Sequence, residues 1–307
     1  MKQDEILQIV NDNGLQTNTL NGEVYYNNQI RKNFTDNVFI QIQTDGRLKL
    51  ECSLHKYYNY LKERKSVNFD MFTIKQAKET VIQLIENKHI AANELNVYRF
   101  EIGLNITVSE DCRNYLDLIQ GIGAIGSEKE LNVNMKFKDF REKTTIFHKD
   151  KRKYYKIYDK VFEMRDKRYK QLPDIHILRI ETVYRRIEKM SFEQFFSLPN
   201  LKKVVEQFFN DWATVNFDRD IITPKGTHYA KQALCKEIIK YGAETTLKHS
   251  KTKYKEGFIT NKQYRTIREF IINDWQTFKT EIRQVPTPQE REFKKQLSDF
   301  EKALKLR

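Results

Sequence analysis

The sequence predicts an α+β protein in which residues 1–190 contain most of the strands and residues 191–307 are helical. Before residue 190, short runs of β-branched and aromatic residues are separated by turn residues. After Lys189, turn dipeptides become rare and apolar residues recur at helical spacing. We therefore expect a domain boundary between residues 190 and 200, with an antiparallel sheet before it.

The first part contains a hairpin and one long strand. β-branched and aromatic residues at 38–42 lead through Asp45-Gly46, a dipeptide typical of hairpin turns, into residues 47–53. Apolar residues alternate along 95–108, which predicts the longest strand of the chain. Similar patterns predict helices at 73–87 and 111–120, and further strands at 144–148, 154–158 and 175–184.

The second part predicts long helices at 201–213, 227–241, 261–282 and 290–306. The last has a clear N-terminal signal, because Thr287 can act as the cap, Pro288 takes the first helical position and Glu290 completes a capping box. The segment 225–255 is basic, and Tyr241-Gly242 is either the turn of a DNA-binding helix pair or an ordinary helix end. DNA binding by this part is therefore one of two interpretations.

The charge balance favours polyanionic partners. The 307 residues include 55 Lys and Arg against 42 Asp and Glu, a net charge of +13. Residues 148–170 contain ten of these cations and four carboxylates, with four tyrosines interleaved. Cations can neutralise phosphates and tyrosines can stack on bases, so the segment is typical of a nucleic-acid contact, although a solvated basic loop has the same composition.

Composition and cysteine usage predict a cytoplasmic protein. No run of about 18 apolar residues is present, as a membrane span requires, and the N-terminal residues lack the apolar region of a signal peptide. The three cysteines are far apart and form no CxxC pair, which argues against a disulfide framework or a zinc ribbon.

Two predicted strands repeat an Arg-apolar-Glu pattern, as Arg99-Phe100-Glu101 and Arg179-Ile180-Glu181. In each strand the Arg and the Glu share one face, and acidic residues are uncommon in apolar strands. If the two strands are neighbours, Glu101 and Glu181 converge, and such oxygen ligands suit Mg²⁺ or Mn²⁺. The alternative is a pair of Arg–Glu ion pairs that stabilise a solvated face.

A tyrosine between these strands is a candidate nucleophile. Tyr158 is flanked by Lys156 and Lys160, and Glu163 follows. A tyrosine hydroxyl that attacks phosphorus needs a nearby cation to lower its cost of ionisation and a metal to draw charge off the phosphate. The simpler interpretation is that Tyr158 is a packed strand residue.

Three ordered blocks carry a family resemblance. They are LKLECSLHKYYN at 48–59, NVYRFEIGLNI at 96–106, and YYKIYDKVFE at 154–163 followed by LRIETVYRR at 178–186. Together they resemble rolling-circle replication initiators of the filamentous-phage gene II/X type and the related plasmid replication proteins. The resemblance spans residues 36–190, about half of the chain.

The resemblance implies a nuclease domain of the Rep/HUH-like kind, built on an antiparallel sheet. Such proteins are metal-dependent endonucleases and strand transferases that nick one strand at a phage or plasmid origin. They stay linked to the 5′-phosphate through a tyrosine and leave a 3′-hydroxyl for the host polymerase, which works with a helicase. The implied partner is single-stranded or supercoiled origin DNA.

Carried over by residue, the resemblance implies that Tyr158 is the nucleophile, with Tyr154 as a second tyrosine. Lys156 or Lys160 would stabilise the phosphate or the phenolate. The implied ligands of Mg²⁺ or Mn²⁺ are Glu101 and Glu181, with Glu163 and His176 as further candidates. The candidates for binding DNA phosphates are Lys151, Arg152, Lys153, Arg99 and Arg179.

One departure from the family affects the ligand set. Many initiators have a His-hydrophobic-His pair, and this sequence has none, so carboxylates replace it or His148 or His176 joins them. A mobilisation relaxase, which uses the same chemistry at a transfer origin, is an alternative within the enzyme class. A non-catalytic, basic DNA-binding protein is the alternative outside it.

Overall fold

The computed structural model describes residues 3–28, 36–124, 128–137, 139, 141–145 and 152–305. It has the predicted mixed α+β fold with antiparallel sheets. Three groups of buried apolar side chains can be distinguished among these residues. They belong to an N-terminal unit, a central sheet with its helices, and a helical unit. Among the described helices, none combines the length and the apolar character needed to cross a membrane.

The N-terminal unit contains helix α1 (Gln3–Asp12) and an antiparallel sheet of four strands in sequential order. The strands are β1 (Gln16–Leu20), β2 (Glu23–Asn27), β3 (Val38–Gln43) and β4 (Leu48–Cys52). Strands β3 and β4 are the predicted hairpin, and the N–H of Gly46, which has a φ of 84°, closes the turn on the carbonyl of Gln43 at 2.9 Å. The prediction at 38–53 is confirmed.

Two helices complete this unit, α2 (Leu54–Glu63) and α3 (Ile74–Asn87), and pack their apolar faces against the fully buried residues of β3. The start of α3 is set by a capping box. The Thr73 hydroxyl accepts from the N–H of Gln76 at 3.2 Å, and the Gln76 side chain accepts from the N–H of Thr73 at 2.7 Å. The helix predicted at 73–87 is confirmed.

The central sheet has seven antiparallel strands, and helices α4 (Cys112–Leu118) and α5 (Lys160–Asp166) lie between them in the chain. Its strands are β5 (Asn96–Val108), β6 (Ile119–Ile122), β7 (Lys129–Val133), β8 (Glu142–Thr145), β9 (Lys153–Asp159), β10 (His176–Ser191) and β11 (Val215–Phe217). Their order is β11-β6-β7-β8-β9-β10-β5. The predicted strands at 95–108, 154–158 and 175–184 are confirmed as β5, β9 and β10. Of the strand predicted at 144–148, residues 146–148 lie outside the described residues.

After β10 the chain forms α6 (Phe192–Phe195) and α7 (Leu198–Ala213), and then a helical unit that begins and ends in a two-stranded ribbon of β12 (Asp220–Ile222) and β13 (Arg283–Val285). Between these strands lie α8 (Tyr229–Tyr241), α9 (Ala243–Lys255), α10 (Asn261–Glu269), a π-helical turn (Phe270–Asp274) and α11 (Trp275–Phe278). Helix α12 (Pro288–Lys305) follows. The helices predicted at 201–213 and 227–241 correspond to α7 and α8. The single helix predicted at 261–282 is instead divided into α10, the π-helical turn and α11.

Residues on both sides of the predicted boundary near 190 build one core. Ile106 and Ile180 of the central sheet pack in the same cluster as Trp212 of α7 and Phe293 of α12. The helical unit between β12 and β13 has its own core around Ile238, Phe270 and Trp275. Because Asp220 pairs with Val285, this unit leaves the central core and returns to it at one place.

The start of α12 forms only half of the predicted capping box. The Thr287 hydroxyl accepts from the N–H of Glu290 at 3.1 Å, as expected. The Glu290 carboxylate accepts from the Arg219 guanidinium at 2.6 and 2.8 Å instead of returning to the cap. This ion pair, in which the Glu290 carboxylate is buried, links α12 to the segment that precedes the helical unit.

Candidate functional site

Three neighbouring strands place several of the predicted site residues on one face of the central sheet. β10 lies between β5 and β9, so the two Arg-apolar-Glu strands are neighbours. Directly opposite residues of antiparallel strands share a face. Glu181 is opposite Gly103 on one side and Lys156 on the other, and Tyr158 is opposite Arg179. The predicted convergence therefore occurs on the face away from the central core.

Glu181 is the centre of this polar face. Glu181 is only 6% exposed. Its carboxylate accepts hydrogen bonds from Arg179 Nε at 2.7 Å and from the Tyr158 hydroxyl at 2.9 Å. It also forms an ion pair with Lys156 Nζ at 2.5 Å. Burial alone would raise the pKa of Glu181, but Arg179 and Lys156 outweigh burial and hold it at about 2. Glu181 is thus an ionised, fully partnered carboxylate.

Arg179 is fixed from three directions. Besides Glu181, its guanidinium donates to Asn105 Oδ1 at 2.8 Å and to the carbonyl of Asn68 at 3.3 Å. The guanidinium lies across Gly103, where a Cβ atom would come within 2.5 Å of Nη2. Glycine at this position on β5 therefore makes room for the Arg179 side chain.

Glu101 approaches the same cluster from its exposed side. It forms an ion pair with Arg99, two residues earlier on β5, and lies 3.8 Å from Lys156 Nζ. Lys156 therefore stands between Glu101 and Glu181. The two Arg–Glu pairs form within their own strands, and an ammonium group occupies the position between the carboxylates.

Tyr158 is enclosed. Its side chain is 7% exposed, its hydroxyl donates to Glu181, and its ring lies 6.2 Å from that of Phe137. Burial first, and then the negative charge of Glu181, raise the pKa of Tyr158 far above its ordinary value. This environment stabilises the neutral phenol rather than the phenolate.

Tyr154 lies on the same face of β9 at its more open end. Both tyrosines belong to a strand rather than a helix, and four residues at about 3.4 Å each separate their α-carbons by roughly 13 Å. The Arg185 guanidinium lies 5.5 Å from the centre of the half-buried Tyr154 ring. Lys156, two residues along β9, and Arg99, directly opposite Arg185 on β5, lie on the same sheet face, so three cations share this face with Tyr154.

Lys160 and Glu163 form a separate pair on α5. Lys160 Nζ, whose side chain is 2% exposed, donates to Glu163 Oε2 at 2.7 Å, and Glu163 also binds Lys167. Burial lowers the pKa of Lys160 to about 8, although Glu163 opposes the change. Glu163 is thus neutralised by two lysines of its own segment.

The predicted ligands do not fit a Mg²⁺ or Mn²⁺ ion in this arrangement. Glu101, Glu181 and Glu163 each have cationic side chains as partners, so a metal would have to displace Lys156, Arg179 or Lys160. Over the part of the chain that the structure describes, no three His, Cys, Asp or Glu side chains are grouped so that they could hold a metal ion.

His176 is not brought to this cluster. It is exposed at the first position of β10, five residues before Glu181 and therefore on the opposite face of the strand. His148 lies outside the described residues.

The predicted DNA-binding cations are divided between the surface and the interior. Arg99 and Arg152 are exposed, whereas Arg179 is held in the Glu181 cluster. Lys153 turns toward the core side of β9, where it pairs with Asp211 and lies 5.3 Å from the Tyr184 ring centre. Lys151 is outside the described residues.

The structure adds polar residues that sequence reasoning missed. His55 Nε2 lies 2.8 Å from Asp70 Oδ1, which also accepts from Asn59 Nδ2 at 2.8 Å. The segment containing Asp70 covers the Arg179 end of the face, since the Asn68 carbonyl accepts from Arg179 and Asn105. Burial is the main cause that lowers the pKa of His55 to about 4, with Arg179 and Lys160 contributing. No spacing in the sequence indicates this long-range arrangement.

The site is thus a polar sheet face with a closed end at Tyr158 and an open end at Tyr154, and Lys156 lies between them. No protein-family model matches the chain, and no curated protein matches it.

Proposed function

We propose that this protein is a rolling-circle replication initiator that cuts and rejoins one DNA strand through a tyrosine, with Tyr154 as the nucleophile. The observation that supports it most is the position of Tyr154 at the open end of the polar face, 5.5 Å from the Arg185 guanidinium and on the same sheet face as Arg99 and Lys156. The ordered sequence blocks at 48–59, 96–106 and 154–186 support the same reaction class.

Tyr154 fits the role of nucleophile better than Tyr158. A phosphodiester must reach the attacking oxygen, and the Tyr158 hydroxyl is buried and donates to Glu181. Ionisation of Tyr158 would also place a second negative charge beside Glu181. Tyr154 is half-buried and shares its sheet face with cations that can attract the phosphate.

In the proposed step, the Tyr154 oxygen attacks phosphorus and the bond between phosphorus and the 3′-oxygen breaks. The products are a 5′-phosphotyrosine and a free 3′-hydroxyl, and the phenolic proton is transferred, overall, to the departing 3′-oxygen. Arg99 and Lys156 would bind the non-bridging oxygens and stabilise the charge that develops there. Attack by a 3′-hydroxyl on the phosphotyrosine reverses the step and joins the strand.

The buried end of the face positions Lys156. Glu181 holds the ammonium group on one side and Glu101 lies on the other, so Lys156 has little freedom to turn away from Tyr154. Arg179, fixed by Glu181 and Asn105, keeps Glu181 in place. Because Lys156 is already held in place, the side chains around it need not rearrange when the phosphate binds.

The test uses supercoiled plasmid carrying the DNA that flanks the gene, incubated with protein in Mg²⁺, in Mn²⁺ and in chelator. We expect open circles and an SDS-resistant, protease-sensitive adduct. Tyr154→Phe should lower the adduct yield at least about a hundredfold, because it removes the attacking oxygen. Tyr158→Phe, the matched control, should leave the yield within about threefold. Loss in Tyr158→Phe alone would assign the reaction to Tyr158.

A second candidate is a non-catalytic DNA-binding protein. The observation that favours it is the complete ion pairing of Glu181 and Glu163, which is also what a purely structural cluster requires. It predicts DNA binding without a nick or an adduct in any of the three ionic conditions. A mobilisation relaxase would give the same adduct, but only on DNA from a transfer origin.

A further inference from the structure

The positive charge of the chain is concentrated in the helical unit. From Lys225 to Arg268 there are eleven Lys and Arg against three Asp and Glu, a net charge of +8 within a whole-chain total of +13. This segment lies outside residues 36–190, to which the family resemblance is confined. The remaining residues of the chain carry only a modest excess of cations.

Helices α9 and α10 present much of this charge on one rigid hairpin. The Tyr254 ring of α9 stacks on the Tyr264 ring of α10 with centres 5.3 Å apart, and Leu247 and Ile267 pack against the core of the helical unit. A capping box at Thr260 sets the start of α10. The backbone that carries the cations is therefore fixed before any ligand binds.

Five cations on this hairpin are exposed and unpaired. Within the described part of the chain, no carboxylate lies at ion-pair distance from Lys251, Lys255, Lys262, Arg265 or Arg268. Lys251 and Lys255 are one turn apart on α9, about 6 Å along the axis, while Lys262, Arg265 and Arg268 recur every three residues on α10. Unpaired cations on a fixed scaffold are available to neutralise phosphates.

The chemistry of the surface favours a nucleic-acid duplex over a membrane or a single strand. The outward positions of α9 are polar, among them Thr245, Lys248 and Thr252, so the helix lacks the apolar face that inserts into lipid. Binding of single strands relies on several aromatic rings that stack on successive bases, and here Tyr254 and Tyr264 stack on each other. Phe258, in the loop between the two helices, is a single exposed ring (76%) at the tip of the hairpin. Exposed cations spaced along both helices suit the phosphate backbone of a duplex.

We infer that the α9–α10 hairpin is a second nucleic-acid surface, which binds the phosphate backbone of duplex DNA independently of the strand-cutting site. The inference does not depend on the proposed chemistry, because it requires only binding. If both are correct, the helical unit holds the duplex while the central sheet acts on a single strand.

The test compares two quadruple variants of the full chain. The first, Lys251→Gln, Lys255→Gln, Arg265→Gln and Arg268→Gln, removes four cations of the hairpin. The matched control, Lys202→Gln, Lys203→Gln, Lys295→Gln and Lys302→Gln, removes the same charge from exposed positions of α7 and α12. Circular dichroism and thermal unfolding establish that both are folded.

Affinity for a fluorescent 30-base-pair duplex is measured by anisotropy between about 50 and 200 mM salt. The hairpin variant should lose at least about tenfold in affinity, and its plot of log K against log salt should become shallower by about 2 to 4, whereas the control changes less than about threefold. An equal loss in both variants, or in neither, would overturn the inference. So would wild-type binding to phosphatidylserine vesicles without binding to the duplex.

Adduct formation on single-stranded DNA is measured in parallel. Loss of duplex binding with the adduct unchanged supports two separate surfaces. Absence of the adduct from the wild type, with duplex binding lost only in the hairpin variant, would reject the strand-cutting proposal and leave this inference standing.

Discussion

At the scale of single residues, the polar face is governed by the competition between burial and charge. Glu181 and Tyr158 are both buried and hydrogen-bonded to each other. The pKa of Glu181 is nevertheless lowered, which favours its ionised form, and the pKa of Tyr158 is raised, which favours its neutral form. Two cations keep Glu181 ionised, whereas burial first, and then the charge of Glu181, keep Tyr158 neutral. The two tyrosines of this face therefore differ in their surroundings: Tyr158 is buried beside a carboxylate, and Tyr154 shares its face with cations.

Replacing Glu181 by Gln should lower the free energy of unfolding at pH 7 by about 3 kcal/mol, since Arg179 and Lys156 lose their buried counter-charge. The difference should shrink on acidification. The pKa of Glu181 is about 2 in the folded protein and 4.5 as its ordinary value, so the unfolded chain takes up the proton first as the pH falls. The stability that ionised Glu181 contributes is thus lost between about pH 4.5 and 2.

Urea unfolding of wild type and Glu181→Gln at pH 7, 4 and 3 measures this dependence. A difference between the two proteins that stays constant over that range would contradict the charge assignment.

At the scale of elements, the strands were predictable and their pairing was not. Alternation of apolar residues locates β5, β9 and β10, and the matching Arg and Glu spacing suggests that two of them share a function. The register that inserts Lys156 between Glu101 and Glu181 depends on contacts between residues far apart in sequence. For the same reason, nothing in the sequence brings His55 and Asp70 over Arg179.

The close approach of β5 and β10 predicts that Gly103→Ala is destabilising by roughly 1–3 kcal/mol, because its Cβ atom would meet the guanidinium of Arg179 at 2.5 Å. A double-mutant cycle with Arg179→Lys isolates this contact. If the guanidinium is the obstacle, Gly103→Ala costs clearly less in the Arg179→Lys background than in the wild type. Equal costs in both backgrounds, measured by chemical denaturation, would place the strain elsewhere.

At the scale of the whole molecule, the helical unit is an insertion in the central fold. Helices α7 and α12 pack on the central sheet although 74 residues of sequence separate Ala213 from Pro288, and the unit between them has its own core. Sequence periodicity shows helices on both sides of the insertion and cannot distinguish which of them return to the sheet. The sequence pattern therefore places a domain boundary near residue 190, where strand patterns give way to helical periodicity.

This arrangement predicts that residues 221–284 can be replaced by a short Gly-Ser linker. The flanking residues Asp220 and Val285 are paired neighbours, about 5 Å apart, so a few residues can join them. The shortened chain should unfold cooperatively, keep the adduct on single-stranded DNA and lose duplex binding. Aggregation or a non-cooperative thermal transition would show instead that the central core depends on the helical unit.

Mapping the residue that is linked to DNA distinguishes Tyr154 from Tyr158 as the proposed nucleophile. Trypsin cuts after Lys153, Lys156 and Lys160, so it separates the peptide Tyr154-Tyr155-Lys156 from Ile157-Tyr158-Asp159-Lys160. After nuclease trimming of the purified adduct, mass spectrometry identifies the peptide that carries the nucleotide. We predict the first peptide, modified at Tyr154; a nucleotide on the Tyr158 peptide would contradict the account.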